Sequence, residues 1–434
     1  MDSDLTLQPQ SLVSMLRSIA AGEQTAEQWI NACFDRIEAR EEAVGAWQHR
    51  LTRDEYLTRY HAQQDFFTTS VLKGLPVGIK DIIDTKEMPT EMGSSIHQGR
   101  IPADDATCVE LIKRAGGIIL GKTVTTEFAY FKAGKTGNPV DTERTPGGSS
   151  SGSAAAVADN MVPVSVGSQT AASVIRPAAY CGTIGYVASR GELSLRGGQP
   201  LAQSLDSLGL YGREVADIQL LRSVLLRQAT PENWQSTLKS SELKRVLVCD
   251  GSLVGDVSID MQEALASLAE KLEKQGVAIE RLGQTEQVRQ LVRCHEQIMA
   301  WEVCRNLAYE SQFPEQLSEP LQALLANGLA MERSEYLNAL RQVQELGGWL
   351  NQALAQVDVI LTPAAPGVAP LKTDGTGSPH MSRPWQVLGL PTVTIPGLSD
   401  QAGLPLGLQL VGQAHDDDTL LAHASWVLNT VMTK

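Results

Sequence analysis

The chain has 434 residues, of which 42% are hydrophobic and 20% are charged, and its formal net charge at pH 7 is −14. This size allows one large globular domain or two ordinary ones. The acidic balance argues against nucleic acid and anionic membranes as partners, because both require clustered lysine and arginine.

The N-terminal segment and the cysteines predict a cytoplasmic protein. The segment has no basic stretch followed by an apolar core, so it does not read as a signal peptide. The sequence contains no run of about 18 apolar residues, so it predicts no transmembrane helix. The six cysteines form no CxxC pair and have no metal-like spacing with the histidines. We therefore expect buried free thiols in a reducing compartment, and neither a metal nor a cofactor.

The first part of the chain reads as helices that alternate with short strands. In order, the predicted elements are helices over residues 9–20 and 25–40, a strand within Leu72–Thr85, a helix over Asp105–Ala115 and a strand over Ile118–Leu120. Gln10 and Thr25 are the candidate caps of the first two helices. A helix, a glycine pair and a strand in succession predict an α/β sheet.

The segment Thr145–Ser189 is rich in serine, glycine and alanine and carries few charges. Flexible linkers share this composition. However, the apolar run Met161–Val166 predicts a buried strand within the segment, and a helix is expected over Ser153–Ala158. Small residues in a rigid setting let backbone N–H groups approach a reacting group closely, as an oxyanion site requires. We therefore expect the segment to form part of a reactive site.

The rest of the chain continues the same alternation with longer helices. The predicted elements are strands over residues 244–249 and 356–362, helices over 259–275, 284–312 and 333–355, a β-hairpin over 391–412 and a closing helix from about Thr419. No internal repeat or clean linker divides the sequence. We expect one large α/β domain over residues 1–434, with a helical excursion at about 259–355.

Three polar side chains end an apolar strand or lie in the serine-rich segment. Lys80 follows PVGI, Ser149 follows a glycine pair, and Ser173 stands between QTAA and VIRP. Each has an ordinary explanation: a lysine whose head reaches water, a helix cap and a turn serine. A buried lysine, in contrast, has a lowered pKa and can act as a base.

Several motifs together are more specific than these single residues. The chain resembles the amidase signature family of serine hydrolases in PVGIKDIIDT, TEMGS, GGSSSGSAAAVA and SVIRPAAYCG, whose serine lies 24 residues after Ser149. The resemblance covers about residues 70–215 and returns in DVILTPAAP and GLPLGLQLVG. It implies an α/β/α fold, with a mixed central β-sheet covered on both faces by helices. The SVIRPAAYCG motif resembles malonamidase-like members.

The resemblance implies a Ser–cisSer–Lys triad. Lys80 matches the general base, Ser149 the bridging serine with a cis peptide bond, and Ser173 the nucleophile. The lysine must be neutral to accept a proton, which Ser149 relays from the nucleophile. An acyl-enzyme would then form and be hydrolysed by water.

The implied oxyanion hole departs from the usual family pattern. It consists of the backbone N–H groups of Thr170, Ala171 and Ala172, where the family usually has a Gly-Gly pair before the nucleophile. Backbone donors survive this change, but two methyl groups narrow the site and disfavour positive φ. Gln169 replaces a common aspartate, and its neutral amide would orient the bridging serine or the substrate.

Other polar and charged residues have supporting or undecided roles. Arg176, three residues after Ser173, is either a structural arginine or a clamp for a substrate carboxylate. Asp81, Asp84 and Asp206 match recurrent family positions and are expected in turns and supporting contacts. No histidine falls in a nucleophile–base motif, so the sequence gives no support to a Ser–His–Asp hydrolase.

The resemblance implies an amidohydrolase that cleaves the C–N bond of a small linear amide, ureide or carboxylate-bearing amide and releases ammonia or an amine. One alternative is the amidase (A) subunit of a tRNA-dependent amidotransferase, whose members usually carry the aspartate and the Gly-Gly pair that this chain lacks. Another is a pseudoenzyme or binding protein, suggested by Ala171–Ala172. The expected partner is a small-molecule amide, and the sequence leaves a homodimer open.

Overall fold

One mixed β-sheet organises the chain, whose computed structural model describes residues 11–283 and 285–432. Its strands are β1 (Trp47–Arg50), β2 (Pro76–Lys80), β3 (Ile118–Thr123), β4 (Val164–Gln169), β5 (Ile184–Val187), β6 (Ser207–Gly212), β7 (Arg245–Val248), β8 (Ala278–Arg281), β9 (Val359–Pro363), β10 (Thr392–Ser399) and β11 (Pro405–Val411). Their order across the sheet is β1-β3-β2-β4-β6-β5-β10-β11-β9-β7-β8. β2 runs parallel to β3 and β4, and β7 runs parallel to β8 and β9. The other neighbours are antiparallel.

Helices flank this sheet, so the predicted α/β class with a mixed sheet is confirmed. The α-helices of the described residues are α1 (Leu12–Ala20), α2 (Ala26–Val44), α3 (Arg53–Ala62), α4 (Gln64–Thr69), α5 (Thr107–Arg114), α6 (Ser151–Ala158), α7 (Ile175–Cys181), α8 (Val215–Leu225), α9 (Ile259–Lys274), α10 (Thr285–Asn306), α11 (Glu319–Ala330), α12 (Arg333–Leu354), α13 (Arg383–Leu388) and α14 (Asp417–Trp426). A π-helical segment, Val427–Met432, follows α14. None of the helices described is both long and apolar enough to cross a membrane.

The two faces of the sheet carry different side chains, as the period of two along a strand requires. On β4, Val164 and Val166 belong to a large apolar core that also includes residues of α8 and α14. On the opposite face of the same strand, the hydroxyl of Ser165 donates to the carbonyl of Ser153 in α6 at 2.8 Å. Small polar residues therefore bring α6 close to the sheet, while larger apolar residues fill the other face.

The caps of the first two helices show how well the local patterns can be read. Thr25 caps α2 as predicted, because its hydroxyl accepts from the N–H of Gln28 at 3.1 Å. The cap of α1 is Ser11, whose hydroxyl accepts from the N–H of Ser14. The predicted cap Gln10 lies outside the described residues. So do residue 9 of the predicted first helix and residue 284, the first residue of another predicted helix.

Several predicted boundaries are wrong by a few residues. The strand expected over Met161–Val166 begins after Pro163 and continues to Gln169. The strand cannot include Pro163 in its ladder, because a proline has no N–H to donate. At its other end β4 lies between β2 and β6, so its polar residues are paired and buried and the strand continues to Gln169. The strand expected within Leu72–Thr85 is confined to β2, and the helix expected from Ser153 begins two residues earlier.

Most of the described residues of the segment predicted as a helical excursion lie in helices, but one strand interrupts it. β8 lies within residues 259–355 and pairs with β7 at the edge of the sheet. Between the predicted helices, α11 begins after Ser318 with a proline in its first turn. This proline is a recognised start signal, so α11 is an element that the pattern contained and the prediction missed. The hairpin over 391–412 is confirmed as the antiparallel pair β10 and β11.

Candidate active site

The candidate site lies where the parallel strands β2 and β4 end. Lys80 is the last residue of β2, and Gln169 is the last residue of β4. Neighbouring parallel strands end at the same edge of a sheet, where α/β proteins usually bind ligands. The loop from Thr170 to Ser173 continues from β4 into α7, and Ser149 directly precedes the start of α6. The topology therefore gathers all the predicted site residues at one edge.

Missing side chains allow α6 to approach this edge. A Cβ atom added to Gly167 on β4 would lie 2.8 Å from the hydroxyl of Ser150, and one added to Gly152 would lie 2.1 Å from the carbonyl oxygen of Ala46. Both distances are far below ordinary carbon contacts. The glycine and serine content of this segment is thus required by close packing, and the linker interpretation is wrong.

Lys80 is completely buried and faces serines. Its Nζ lies 2.7 Å from Oγ of Ser149, 3.0 Å from Oγ of Ser168 and 3.3 Å from the carbonyl oxygen of Ser168. No carboxylate of the described residues forms a salt bridge with it. Burial lowers the pKa of Lys80 from 10.5 to about 7, although the charge of Asp206 opposes this effect. The interpretation of Lys80 as a surface lysine is therefore wrong.

A second buried lysine provides a useful contrast. Nζ of Lys122 lies 3.3 Å from a carboxylate oxygen of Asp81 and 2.5 Å from the hydroxyl of Thr90. It thereby joins the PVGIKDIIDT and TEMGS motifs. Burial also lowers the pKa of Lys122, to about 8. Of these two lysines, only Lys80 contacts the serine-rich segment.

Ser149 carries the cis peptide bond that the resemblance implied, between Gly148 and Ser149. It is 3% exposed, and it does not cap α6. The residue at the cap position is Ser150, and its side chain makes no capping hydrogen bond. The helix-cap interpretation of Ser149 is therefore wrong.

Ser173 and Ser149 line the same small cavity. The centre of a water molecule can reach about 30 Å³ of it. The backbone carbonyl of Ser173 accepts from the N–H of Ser150 and from the hydroxyl of Tyr211, each at 3.2 Å. The carbonyl is thus anchored on two sides, which fixes the backbone of Ser173 at the cavity wall. A larger cavity of about 300 Å³ shares Ala129, Thr170 and Leu201 with this one.

Backbone donors are available beside Ser173. The N–H groups of Thr170, Ala171, Ala172 and Ser173 donate to no acceptor among the described residues, although this loop is largely buried. The next two N–H groups, of Val174 and Ile175, do have an acceptor. Unpaired buried N–H groups are rare in proteins. Four in succession beside a cavity form a site that can accept a developing oxyanion.

The side chain of Gln169 fixes the start and the end of this loop. Its Oε1 accepts from the N–H groups of Val174 and Ile175 at 2.9 and 3.1 Å. Its Nε2 donates to Oε1 of Gln386 at 2.9 Å, and Nε2 of Gln386 donates to the backbone carbonyl of Gln169. Gln169 is 1% exposed, and its amide groups are engaged by protein atoms.

Two further side chains hold Thr170. Its hydroxyl donates to Asp206 at 2.5 Å, and the second oxygen of Asp206 accepts from the N–H groups of Leu201 and Ala202. Burial raises the pKa of Asp206 to about 7. On the other side, Nε2 of His295 in α10 lies 2.7 Å from the carbonyl oxygen of Thr170.

The protonation of His295 follows from its environment. Burial lowers the pKa of His295 to about 3, so its ring is neutral near pH 7. Since a carbonyl only accepts, Nε2 must carry the proton and donate it. In a trans peptide the C=O and N–H groups point in opposite directions. Fixing the carbonyl of Thr170 therefore directs the N–H of Ala171 away from His295.

Two arginines line the cavity, Arg176 and Arg383. Arg176 is 4% exposed, and it donates to the carbonyl of Gly377 at 2.5 Å, the carbonyl of Gly148 at 2.6 Å and the hydroxyl of Thr376 at 3.3 Å. These contacts join the loop before α13 to the cis peptide. Arg383, the first residue of α13, is paired with Glu296 of α10.

Sequence reasoning missed Ser168, His295 and Arg383. Ser168 directly precedes Gln169, and its position after Val166 and Gly167 on β4 was a usable signal. His295 and Arg383 come from distant helices, and no local pattern marked them. The structure also shows no cluster of three or more histidine, cysteine or acidic side chains that would hold a metal, as far as its described residues extend.

Comparisons with known proteins show which family the chain matches. A family model described as Amidase matches residues 28–421. The A subunit of the glutamyl-tRNA(Gln) amidotransferase of Chloroflexus aggregans is 30% identical over 460 aligned positions, which cover 93% of each chain. The corresponding protein of Sulfurihydrogenibium sp. is also 30% identical, over 85% of this chain and 84% of its own.

Solved structures share the fold over nearly the whole chain. A crystal structure of an amidase has a TM-score of 0.86 at 25% identity and covers 97% of this chain and 100% of its own. A protein from a vestigial complex that reveals the origins of an s-triazine catabolic enzyme has a TM-score of 0.85 at 26% identity, with 97% and 98% coverage. The peptide amidase of Stenotrophomonas maltophilia, at 23% identity and a TM-score of 0.82, shows the fold alone.

Proposed function

The chain belongs to the amidase family and is an enzyme of C–N bond cleavage, and we propose that it hydrolyses a small amide through an acyl-enzyme on Ser173. The observation that carries this proposal is the contact between Lys80 and Ser149. A fully buried amine lies 2.7 Å from a serine hydroxyl and has no salt-bridge partner among the described residues. Such an amine is neutral in a large fraction of molecules near pH 7 and can accept a proton.

The proton relay begins at the nucleophile. Ser173 transfers its proton to Ser149 as its Oγ attacks the amide carbon, and Ser149 passes its own proton to Lys80. The tetrahedral intermediate carries a negative oxygen, for which the N–H groups of Thr170 to Ser173 are free donors.

The same relay completes the turnover in reverse. Protonated Lys80 returns a proton through Ser149 to the leaving nitrogen, the C–N bond breaks, and ammonia or an amine departs. Water then attacks the ester on Ser173, and its proton follows the path to Lys80. The acid product leaves when the ester C–O bond breaks and Ser173 is protonated again.

The fixed loop gives the supporting residues their proposed roles. Gln169 and Asp206 would hold the oxyanion loop, because their polar atoms contact protein groups. Arg176 would hold the cis peptide through the carbonyl of Gly148. These contacts support positioning roles for Gln169 and Arg176 over direct contact with the substrate, the other role that the sequence left open for each.

The test combines labelling with turnover. A fluorophosphonate probe should label the wild-type chain and the exposed-serine control Ser236→Ala, and fail to label Ser173→Ala. Ammonia release from a panel of small amides and ureides should be lost only in Ser173→Ala, while its circular dichroism spectrum and Tm stay close to those of the wild type. Labelling that persists in Ser173→Ala would remove the nucleophile assignment.

The curated relatives favour a second candidate, the amidase component of a tRNA-dependent amidotransferase. That component would use the same triad to release ammonia, which it would deliver to a partner complex. Against it stand Gln169 and the pair Ala171–Ala172, where those members usually carry an aspartate and two glycines. Size-exclusion chromatography after expression in the native host separates a monomer or homodimer from a complex with other proteins. Ammonia release from glutamine that needs such a complex would establish the second candidate.

A further inference from the structure

Two cationic side chains line the cavity beside Ser173. Its lining includes two guanidinium groups, from Arg176 and Arg383, and contains no aspartate or glutamate among the described residues. The other large side chains around it are Tyr130, Phe131 and Met299. A small site lined by two cationic side chains and by no acidic one favours a substrate that brings a negative charge.

Both terminal nitrogens of Arg176 already donate hydrogen bonds to protein groups. Nη1 donates to the carbonyl of Gly377, and Nη2 donates to the carbonyl of Gly148 and the hydroxyl of Thr376. Binding a carboxylate in the two-pronged manner typical of arginine would break contacts that hold the cis peptide. Nε of Arg176 also donates to no acceptor among the described residues, but the neighbouring Nη2 is engaged twice. Two adjacent free donors must therefore come from the other arginine.

Arg383 has that capacity. Its side chain is 11% exposed, and it forms an ion pair through Nη1 with Glu296, whose side chain is 50% exposed. Neither Nε, which is buried, nor Nη2 donates to any group among the described residues. Burial lowers the pKa of Arg383, and the carboxylate of Glu296 only partly offsets this cost. The guanidinium is therefore held in the wall with two donor positions unused.

We propose that Arg383 binds the carboxylate of a short substrate whose scissile amide lies over Ser173. The inference rests on the proposed function, since it assumes that Ser173 attacks the amide. The preferred substrates are then short acids that carry an amide at the other end. Their hydrolysis yields ammonia and a dicarboxylate.

The experiment uses two molecules that differ only at the bound end. Malonamate has a carboxylate where malonamide has a second, neutral amide. Arg383→Gln is expected to lower kcat/KM for malonamate roughly 10- to 100-fold, mainly through KM, because a charge-assisted pair is lost. Turnover of malonamide should change less than about 3-fold. Arg383→Lys keeps the charge but loses the fork, and should fall between Arg383→Gln and the wild type.

Glu296→Gln is the matched control. If Arg383 serves only its ion pair, removing either partner damages both substrates alike, and the proposal is overturned. If Arg383 binds substrate, Glu296→Gln keeps or improves the KM for malonamate, because the guanidinium then has no competing anion. Equal losses for both substrates in Arg383→Gln, at unchanged Tm, overturn the proposal as well.

A labelling experiment separates this inference from the proposed function. Malonate, the product dicarboxylate, should slow fluorophosphonate labelling of Ser173 in the wild type and lose this effect in Arg383→Gln. Labelling that malonate never slows sinks the Arg383 site alone. Absence of any labelling in the wild type sinks the nucleophile assignment on which it rests.

Discussion

The pH dependence of turnover tests the proton relay most directly. Catalysis requires neutral Lys80, whose pKa burial lowers to about 7. For an amine, the neutral form dominates above the pKa, so the rate should rise with pH and level off above about 8. The neutral fraction is about one tenth at pH 6, one half at pH 7 and nine tenths at pH 8. An ordinary lysine with a pKa of 10.5 would be neutral in only about 0.3% of molecules at pH 8.

The assay measures kcat for ammonia release between pH 5.5 and 9.5 at saturating substrate, in parallel with the rate of fluorophosphonate labelling. Asp206→Asn removes a carboxyl group that raises the pKa of Lys80 when it is ionised. Its midpoint should therefore move to lower pH. Asp84→Asn is the control, because this carboxylate lies in the same sequence motif as Lys80 but pairs with Arg100. A midpoint near 10 in the wild type, or the same midpoint in Asp206→Asn, would refute the electrostatic argument.

Removal of the amine completes this test. Lys80→Met should lower kcat roughly 10²- to 10⁴-fold, the usual contribution of a general base. Lys80→Arg should not restore it, since a guanidinium stays protonated. A Lys80→Arg variant with substantial activity would end the relay account, whatever the pH profile.

The remaining predictions concern the geometry around the nucleophile. His295→Leu removes the donor to the carbonyl of Thr170 and should lower kcat roughly tenfold with little change in KM, whereas His295→Gln, which can still donate, should recover part of the loss; a change in KM alone would contradict this role. The small cavity and the methyl groups of Ala171 and Ala172 predict that long acyl and bulky aryl amides are poor substrates, which a series of linear amides of increasing length would show. Good turnover of a fatty amide would contradict it.

The residues that lie in contiguous motifs were predictable. Lys80, Ser149 and Ser173 each belong to a short motif, and the strands that lead to the first and the last end at the same edge because β2 and β4 are parallel. Their proximity therefore follows once the strand order is known. The α/β class was predictable for a similar reason, since short apolar runs alternate with helices, whereas the mixed sheet was implied only by the family resemblance.

The residues that reach the site from distant helices were not predictable from pattern. His295 contacts a carbonyl 125 positions earlier, and Arg383 lines the same cavity as Ser173, although the two residues are far apart in the chain. A buried histidine on a helix has the same sequence signature whether it fills a core or holds a loop. Only the packing of α10 and α13 around the loop that follows β4 distinguishes the two cases.

The backbone conformation explains how Ala171 and Ala172 can stand where the family usually has a Gly-Gly pair. Glycine is favoured where φ is positive, and neither alanine adopts a positive φ. The loop conformation is therefore open to alanine without strain, and the N–H groups of both residues donate to no other acceptor among the described residues. What two methyl groups change is the space, since both residues line the cavity. The Ala-Ala pair thus gives no physical reason for a pseudoenzyme, and its consequence is confined to the size of the acyl group that can reach Ser173.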